Sequence, residues 1–203
     1  EQPVGTSLAA PFRNGVLADA VVPSNAVTNV ALIAGGAAFT AVMAQLTVPL
    51  WPVPITGQTL AVLLVGSTLG PVRGMLAMLV YWVAGVMGLP VFNDASSGLA
   101  GAVGPTGGYL IGFVAAAGLT GWLARRNWDK KFLGAAVSFL AGTVVIFALG
   151  MAWLSFSLKA NLQQTLAWGL YPFILAGILK SIVAAAVMPA AWKLAARLPK
   201  SAD

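Results

Sequence analysis

The stretch FLGAAVSFLAGTVVIFALGMAWLSF, residues 132–156, decides the fold class because it contains no Asp, Glu, Lys or Arg. A helix rises about 1.5 Å per residue, so about 20 apolar residues are enough to cross the hydrocarbon core of a bilayer. Further apolar runs lie before and after it, at residues 25–46, 59–69, 75–89, 107–124 and about 168–196. The sequence therefore predicts an all-α integral membrane protein, built as a bundle of six transmembrane helices.

The composition excludes several classes of protein. Of the 203 residues 59% are hydrophobic and only 8% are charged, with a mean hydropathy of +0.89, whereas a soluble domain carries about 25% charged residues. The chain has no Cys and no His, which removes disulfides, thiolate and imidazole metal ligands and the Ser–His pair of many hydrolases. We therefore expect no catalytic residue, no metal and no cofactor.

The basic residues indicate the orientation in the membrane. With a cytoplasmic N-terminus, all eleven lie on the inner side except Lys159 and Lys180, and cytoplasmic loops are enriched in Lys and Arg. We therefore expect a multi-pass cell-membrane protein with both termini in the cytoplasm. This topology explains the net charge of +6 better than nucleic-acid binding does, so we expect no nucleic-acid partner.

The same patterns divide the chain into three parts. Residues 1–24 form an N-terminal cytoplasmic segment, 25–197 the six-helix transmembrane domain and 198–203 a C-terminal cytoplasmic tail. The first segment has no basic region ahead of an apolar core, which argues against a signal peptide.

Lys180 is the most informative single residue because it falls within the last apolar run. It follows Pro172 by eight residues, about 12 Å below the outer start of its helix. Exposing a Lys to lipid at such depth costs at least ~2.5 kcal/mol, unless the side chain extends to the interface. The predicted spans contain no carboxylate, so its partner is either Asp94 from an outer loop or a ligand with an anionic group or a carbonyl. We favour a ligand.

Other polar residues are expected at the same outer surface. Asn93 and Asp94 lie in the loop 90–106, where they either form a turn or belong to a lid that hydrogen-bonds a polar ligand. Gln58 precedes the second apolar run, and Tyr109 begins the fourth. We predict one pocket, lined by Gln58, Asn93, Asp94, Tyr109 and Lys180.

The first apolar run carries small residues at four-residue spacing. Ala34 pairs with Ala38, and Ala37 with Ala41. Rows of this kind let two membrane helices approach closely. The pattern predicts a docking surface for another membrane protein.

Three segments together resemble a known family. They are PVPITGQTLAVLLVGSTLGPVRG at 52–74, GLPVFNDASSGLAGAVGPTGGYLIGF at 88–113 and YPFILAGILKS at 171–181. They are similar to BioY, the biotin-specific substrate-binding (S) component of energy-coupling-factor (ECF) vitamin transporters, and the similarity runs from about residue 31 to 196.

The resemblance implies a six-helix protein that captures biotin at the outer face and is not an enzyme. It would deliver biotin inward together with a transmembrane coupling subunit and two ATPase subunits, and the chain itself contains no P-loop. In this family an Asn corresponding to Asn93 and a Lys corresponding to Lys180 hold the ligand. Gly177 stands where the family usually has an Asp.

Three alternatives remain at this point. The chain could be an S component for a different vitamin or small ligand. It could be an assembly subunit that binds no ligand, which would leave Lys180 unpaired in the membrane. An intramembrane enzyme using Lys180 and Ser181 is disfavoured, because adjacent positions of a helix do not face each other.

Overall fold

The structure, a computed structural model, describes residues 15–197. The start of the predicted N-terminal segment and the predicted C-terminal tail lie outside the described residues. The helices are α1 (Leu17–Val21), α2 (Ala26–Ala44), α3 (Gln58–Leu69), α4 (Pro71–Val86), α5 (Gly98–Val103), α6 (Gly107–Arg125), α7 (Phe132–Leu158), α8 (Leu162–Gly169) and α9 (Ile174–Ala195). Short 3₁₀ turns occupy Asn93–Ala95, Trp128–Lys130 and Tyr171–Phe173.

Helix α2 begins where the sequence predicts. The side chain of Asn25 accepts a hydrogen bond from the Thr28 N–H at 2.8 Å, which satisfies one of the free donors at the helix start. The proline-rich segment that follows α2 forms no helix. It contains two short antiparallel strands, β1 (Thr47–Val48) and β2 (Ile55–Thr56), which bring the chain back to the start of α3.

The break between α3 and α4 is narrower than the sequence predicts. The sequence indicates a loop over residues 70–74, but only Gly70 leaves the helical conformation, with φ +86°. Pro71 then begins α4, since proline is tolerated at the first helical position, where no intrahelical donor is needed. Arg73 lies within α4, and its guanidinium forms an ion pair with Asp19 at 2.5 Å.

Four helical segments in the described part of the chain are long and apolar enough to cross a membrane: Ala26–Ala44, Gly107–Arg125, Phe132–Leu158 and Leu162–Ala195, the last of which joins α8 and α9. Helices α3 and α4 are apolar but have only 12 and 16 residues. The prediction of a mostly helical, multi-pass membrane protein is confirmed. Helix length alone does not establish the predicted six crossings.

Helix α6 lies at the centre and packs closely on α3. A Cβ at Gly66 would lie 2.6 Å from the carbonyl oxygen of Ala117, and one at Gly121 would lie 2.4 Å from the carbonyl carbon of Gly70. Both distances are too short for any side chain, so glycine permits this contact between the helix backbones.

The turn between α6 and α7 contains a buried carboxyl group. Asp129 is 1% exposed, and its Oδ2 accepts a hydrogen bond from the Trp192 indole N–H at 2.7 Å. Burial raises the pKa of the Asp129 carboxyl above its ordinary value of 3.8. The hydrogen bond from Trp192, the nearby charge of Lys130 and a hydrogen bond from Ser67 offset this effect only in part.

This burial predicts a pH-dependent stability that Asp129→Asn should remove. A carboxyl with a raised pKa stabilises the fold below its unfolded-state pKa, and that stabilisation is lost as pH rises through the folded-state value. Each unit of difference corresponds to about 1.4 kcal/mol. We expect the unfolding temperature in detergent to fall from pH 4 to pH 8 for the wild type and much less for Asp129→Asn. Identical slopes for the two proteins would contradict this prediction.

Candidate functional site

One cavity lies where the β1–β2 connection, the starts of α3 and α6, and the first half of α9 meet. Its polar lining consists of Thr56, Gln58, Thr59, Asn93, Thr106 and Lys180, and its aromatic lining of Phe92, Tyr109, Phe113, Phe147 and Phe173. Including the space at its open mouth, the cavity region measures about 610 Å³.

The structure brings four of the five predicted pocket residues together. Gln58, Asn93, Tyr109 and Lys180 all line the cavity, but Asp94 does not. Asp94 is exposed, and its Oδ2 accepts a long hydrogen bond of 3.4 Å from the Asn93 amide. Among the described residues the Asp94 carboxylate forms no ion pair with Lys180.

Lys180 has protein partners other than the predicted Asp94 or ligand. Its ammonium group donates one hydrogen bond to the backbone carbonyl of Thr56 and another to Thr59 Oγ1 at 3.0 Å. An ammonium has three N–H donors, so one is left for a ligand in the cavity. These bonds also tie α9 to the start of α3. In the sequence these partners belong to the run ITGQT at residues 55–59.

The amide of Gln58 is held in place by two neighbours. Its Nε2 donates to the Tyr81 hydroxyl at 2.5 Å, and its Oε1 accepts from the Thr56 hydroxyl at 2.7 Å. Tyr81 is only 1% exposed, so this arrangement fixes the direction of the amide. The second N–H of the amide is then the group that Gln58 can offer to a ligand.

Tyr109 contributes a wall to the cavity through its ring. Its hydroxyl donates to the carbonyl of Gly169 at 2.9 Å and is therefore engaged with α8. The ring meets Phe147 edge-on with centroids 5.9 Å apart, and Phe147 in turn contacts Phe173 at 5.6 Å. Phe147 and Phe173 were not predicted from the sequence, because an aromatic residue in an apolar helix has no pattern that separates a binding wall from ordinary packing.

The chemistry of the lining points to one class of ligand. The cavity contains one cation, Lys180, two amide side chains and an aromatic wall, but none of its lining residues is acidic. Gly177 lies one turn before Lys180. A Cβ at this position would lie 3.3 Å from the Thr143 methyl group, so there is little room for a side chain in that direction. The site therefore suits a compact ligand with an apolar body and a carbonyl or carboxylate group.

Comparison with known proteins identifies the family. Residues 15–197 match the sequence profile of the BioY family. The chain belongs to the BioY family. This match covers all three segments on which the resemblance rests, so the sequence-based assignment is confirmed.

Individual BioY relatives resemble the chain over most of its length. The biotin transporter BioY2 of Lactococcus lactis is 36% identical over 152 residues, which are 75% of this chain and 83% of the relative. The biotin transporter BioY of Thermotoga maritima is 38% identical over 144 residues, covering 71% and 83%. These BioY relatives are transporters, and the present family member is likewise a multi-pass membrane transport protein and not an enzyme.

A solved structure has the same fold. The crystal structure of the S-component for biotin from an ECF-type ABC transporter superposes with a TM-score of 0.72 at 27% sequence identity. The match covers 82% of this chain and 92% of that one. The helical arrangement of this BioY family member is therefore that of an S component.

Proposed function

We propose that this chain is the S component of an ECF-type transporter and that it captures biotin at the outer membrane face. The observation that carries the proposal is the cavity that joins Lys180, Asn93 and Gln58 to an aromatic wall, in a chain of the BioY family. Its relatives are named as biotin transporters.

The chemistry of biotin matches what this cavity offers. Biotin has a ureido carbonyl and a valerate carboxylate, both of which accept hydrogen bonds, on an apolar bicyclic body. The remaining N–H of Lys180, the amide of Asn93 and the second N–H of Gln58 can donate to these oxygens. The rings of Tyr109 and Phe147 can pack against the bicyclic body.

The proposed topology has six crossings, by α2, α3, α4, α6, α7 and α9, with both termini in the cytoplasm. The distribution of basic residues supports it. Helix α3 has 12 residues and is therefore about 18 Å long. This length is about 12 Å less than the thickness of the hydrocarbon core. This difference equals the depth of about 12 Å estimated for Lys180 below the outer start of its helix. Both lengths agree with a cavity that is recessed from the outer surface.

The proposed partners are a transmembrane coupling subunit and two ATPase subunits, with biotin as the ligand and the lipid bilayer as the surroundings. Of the two alanine rows on α2, only Ala34 and Ala38 are exposed. Ala37 is 7% exposed and belongs to the core, and Ala41 packs against that core. We therefore restrict the proposed docking surface to the row of Ala34 and Ala38.

Binding of radiolabelled biotin to the purified protein tests the proposed function. We expect saturable binding that unlabelled biotin displaces and that thiamine and riboflavin do not. Absence of biotin binding by a folded protein would refute the proposal.

A second candidate, an S component for another vitamin, is favoured by one observation. Gly177 stands where members of the family usually have an Asp, so the cavity lacks the side chain expected one turn before Lys180. The same competition assay tests it, because displacement by thiamine or riboflavin at concentrations comparable to biotin would favour the second candidate.

A further inference from the structure

The side chain of Gln45 connects α2 to the loop that carries Asn93. Gln45 is the C-cap residue that directly follows α2. Its Nε2 donates to the carbonyl of Phe92 and to that of Ala41 in α2, each at 3.0 Å. Its Oε1 accepts a hydrogen bond from the Ala95 N–H, also at 3.0 Å. One amide therefore bonds the backbone on both sides of Asn93, although Gln45 and Asn93 are distant in sequence.

The segment that Gln45 holds has an unfavourable backbone conformation. Asp94 and Ala95 have φ values of +54° and +53°, in the left-handed region that residues with a Cβ rarely adopt. Such conformations persist only where surrounding contacts enforce them. Within the loop, the Ser96 N–H and hydroxyl donate to the Asn93 carbonyl at 3.1 and 2.7 Å. Gln45 adds the bonds from a different helix.

The position of the loop determines where Asn93 lies. Phe92 is 2% exposed and its ring packs edge-on against Tyr81 at 5.6 Å, which anchors the start of the loop. The residues after Asn93 are exposed and contain the two left-handed positions. Without Gln45 this second half would be free to relax, and Asn93 would leave the cavity wall for part of the time.

We propose that Gln45 is a positioning residue for ligand binding, which holds the Asn93 loop against the cavity. This inference rests on the proposed function. Because Gln45 directly follows α2 and donates to the Ala41 carbonyl within it, it ties the ligand loop to the helix whose exposed face carries Ala34 and Ala38.

The first test is biotin binding by Gln45→Ala. We expect the Kd to rise about tenfold, because the loop then spends only part of its time in the binding conformation and the apparent affinity falls in proportion. The dissociation rate should rise correspondingly. The unfolding temperature should change little, because the lost bonds are exposed or only partly buried.

Asn25→Ala is the matched control, because it removes one side-chain hydrogen bond from the opposite end of the same helix. Loss of a hydrogen bond at this helix end should not affect ligand binding. The Kd of Asn25→Ala should therefore stay within about twofold of the wild-type value. A Kd raised as much as that of Gln45→Ala would show that general weakening of α2 explains the effect, which would overturn the inference.

A second substitution separates positioning from a general structural role. Glycine adopts the left-handed conformation without strain, so Ala95→Gly should allow the loop to keep its shape without the help of Gln45. We expect Gln45→Ala with Ala95→Gly to recover most of the lost affinity, and Ala95→Gly alone to stay within about threefold of the wild type.

The outcomes separate this inference from the proposed function. Unchanged affinity of Gln45→Ala, or no recovery in the double variant, would overturn the positioning role while biotin binding by the wild type still stands. A wild-type protein that does not bind biotin would instead overturn the proposed function, on which the inference depends.

Discussion

Lys180→Ala should weaken biotin binding by about 10- to 150-fold. A hydrogen bond to a charged group contributes about 1.5–3 kcal/mol, and about 1.4 kcal/mol corresponds to a tenfold change in affinity. The ammonium lies at the cavity wall, bonded to the Thr56 carbonyl and to the Thr59 hydroxyl. These contacts fix its position before the ligand arrives, which reduces the cost of ordering it on binding.

Lys180→Arg should also bind poorly. A guanidinium is a planar fork, whereas the present site holds a compact ammonium between two oxygen acceptors. If Lys180 merely extended to the membrane interface, both variants should instead bind biotin about as tightly as the wild type. Dissociation constants for the three proteins therefore distinguish ligand binding from interfacial anchoring.

Two further variants control for the structural role of Lys180. Lys180→Met keeps the apolar stem but removes the charge, so it should lose as much affinity as Lys180→Ala while retaining more of the packing. Lys193→Ala removes an exposed lysine from the same helix and should bind like the wild type. If Lys180→Ala binds biotin as tightly as the wild type, Lys180 has no role in holding the ligand.

The sequence was sufficient to predict the long helices because their signal is continuous. The run 132–156 is apolar throughout, and α7 begins at Phe132 and ends two residues later than predicted, at Leu158. The short helices α5 and α8 were not predicted. Each has eight residues or fewer, and elements of that length depend on caps and tertiary contacts more than on periodicity. Asn161 and Gln164 form such a cap for α8.

The site was only partly predictable, for a related reason. Topology alone places residues at one end of the bundle, and this was enough to bring Gln58, Asn93, Tyr109 and Lys180 to one cavity. Topology does not give side-chain partners. The bond of the Tyr109 hydroxyl to Gly169 and the exposure of Asp94 depend on contacts between distant segments, which no local pattern encodes.

The double substitution Ala34→Leu with Ala38→Leu should abolish most biotin transport while leaving biotin binding intact. Both alanines are exposed on α2, so the larger side chains fit in the isolated protein and do not reach the cavity. Small residues at this spacing let two helix backbones approach closely, and leucine would hold the proposed coupling subunit away. We expect uptake in proteoliposomes containing the full transporter to fall at least about tenfold, with an unchanged Kd.

Two matched variants make this prediction specific to the exposed row of α2. Ala186→Leu places the same bulk on an exposed position of α9 and should transport normally, because that position lies outside the proposed docking surface. Ala37→Leu inserts the bulk into the core, where overpacking typically costs about 1–3 kcal/mol, so it should lower the unfolding temperature instead. Normal uptake by the double variant would exclude this face of α2 as the docking surface. If the double variant loses both transport and biotin binding, it behaves as expected for Ala37→Leu. A disturbed core affects both activities, whereas a blocked docking surface affects only transport.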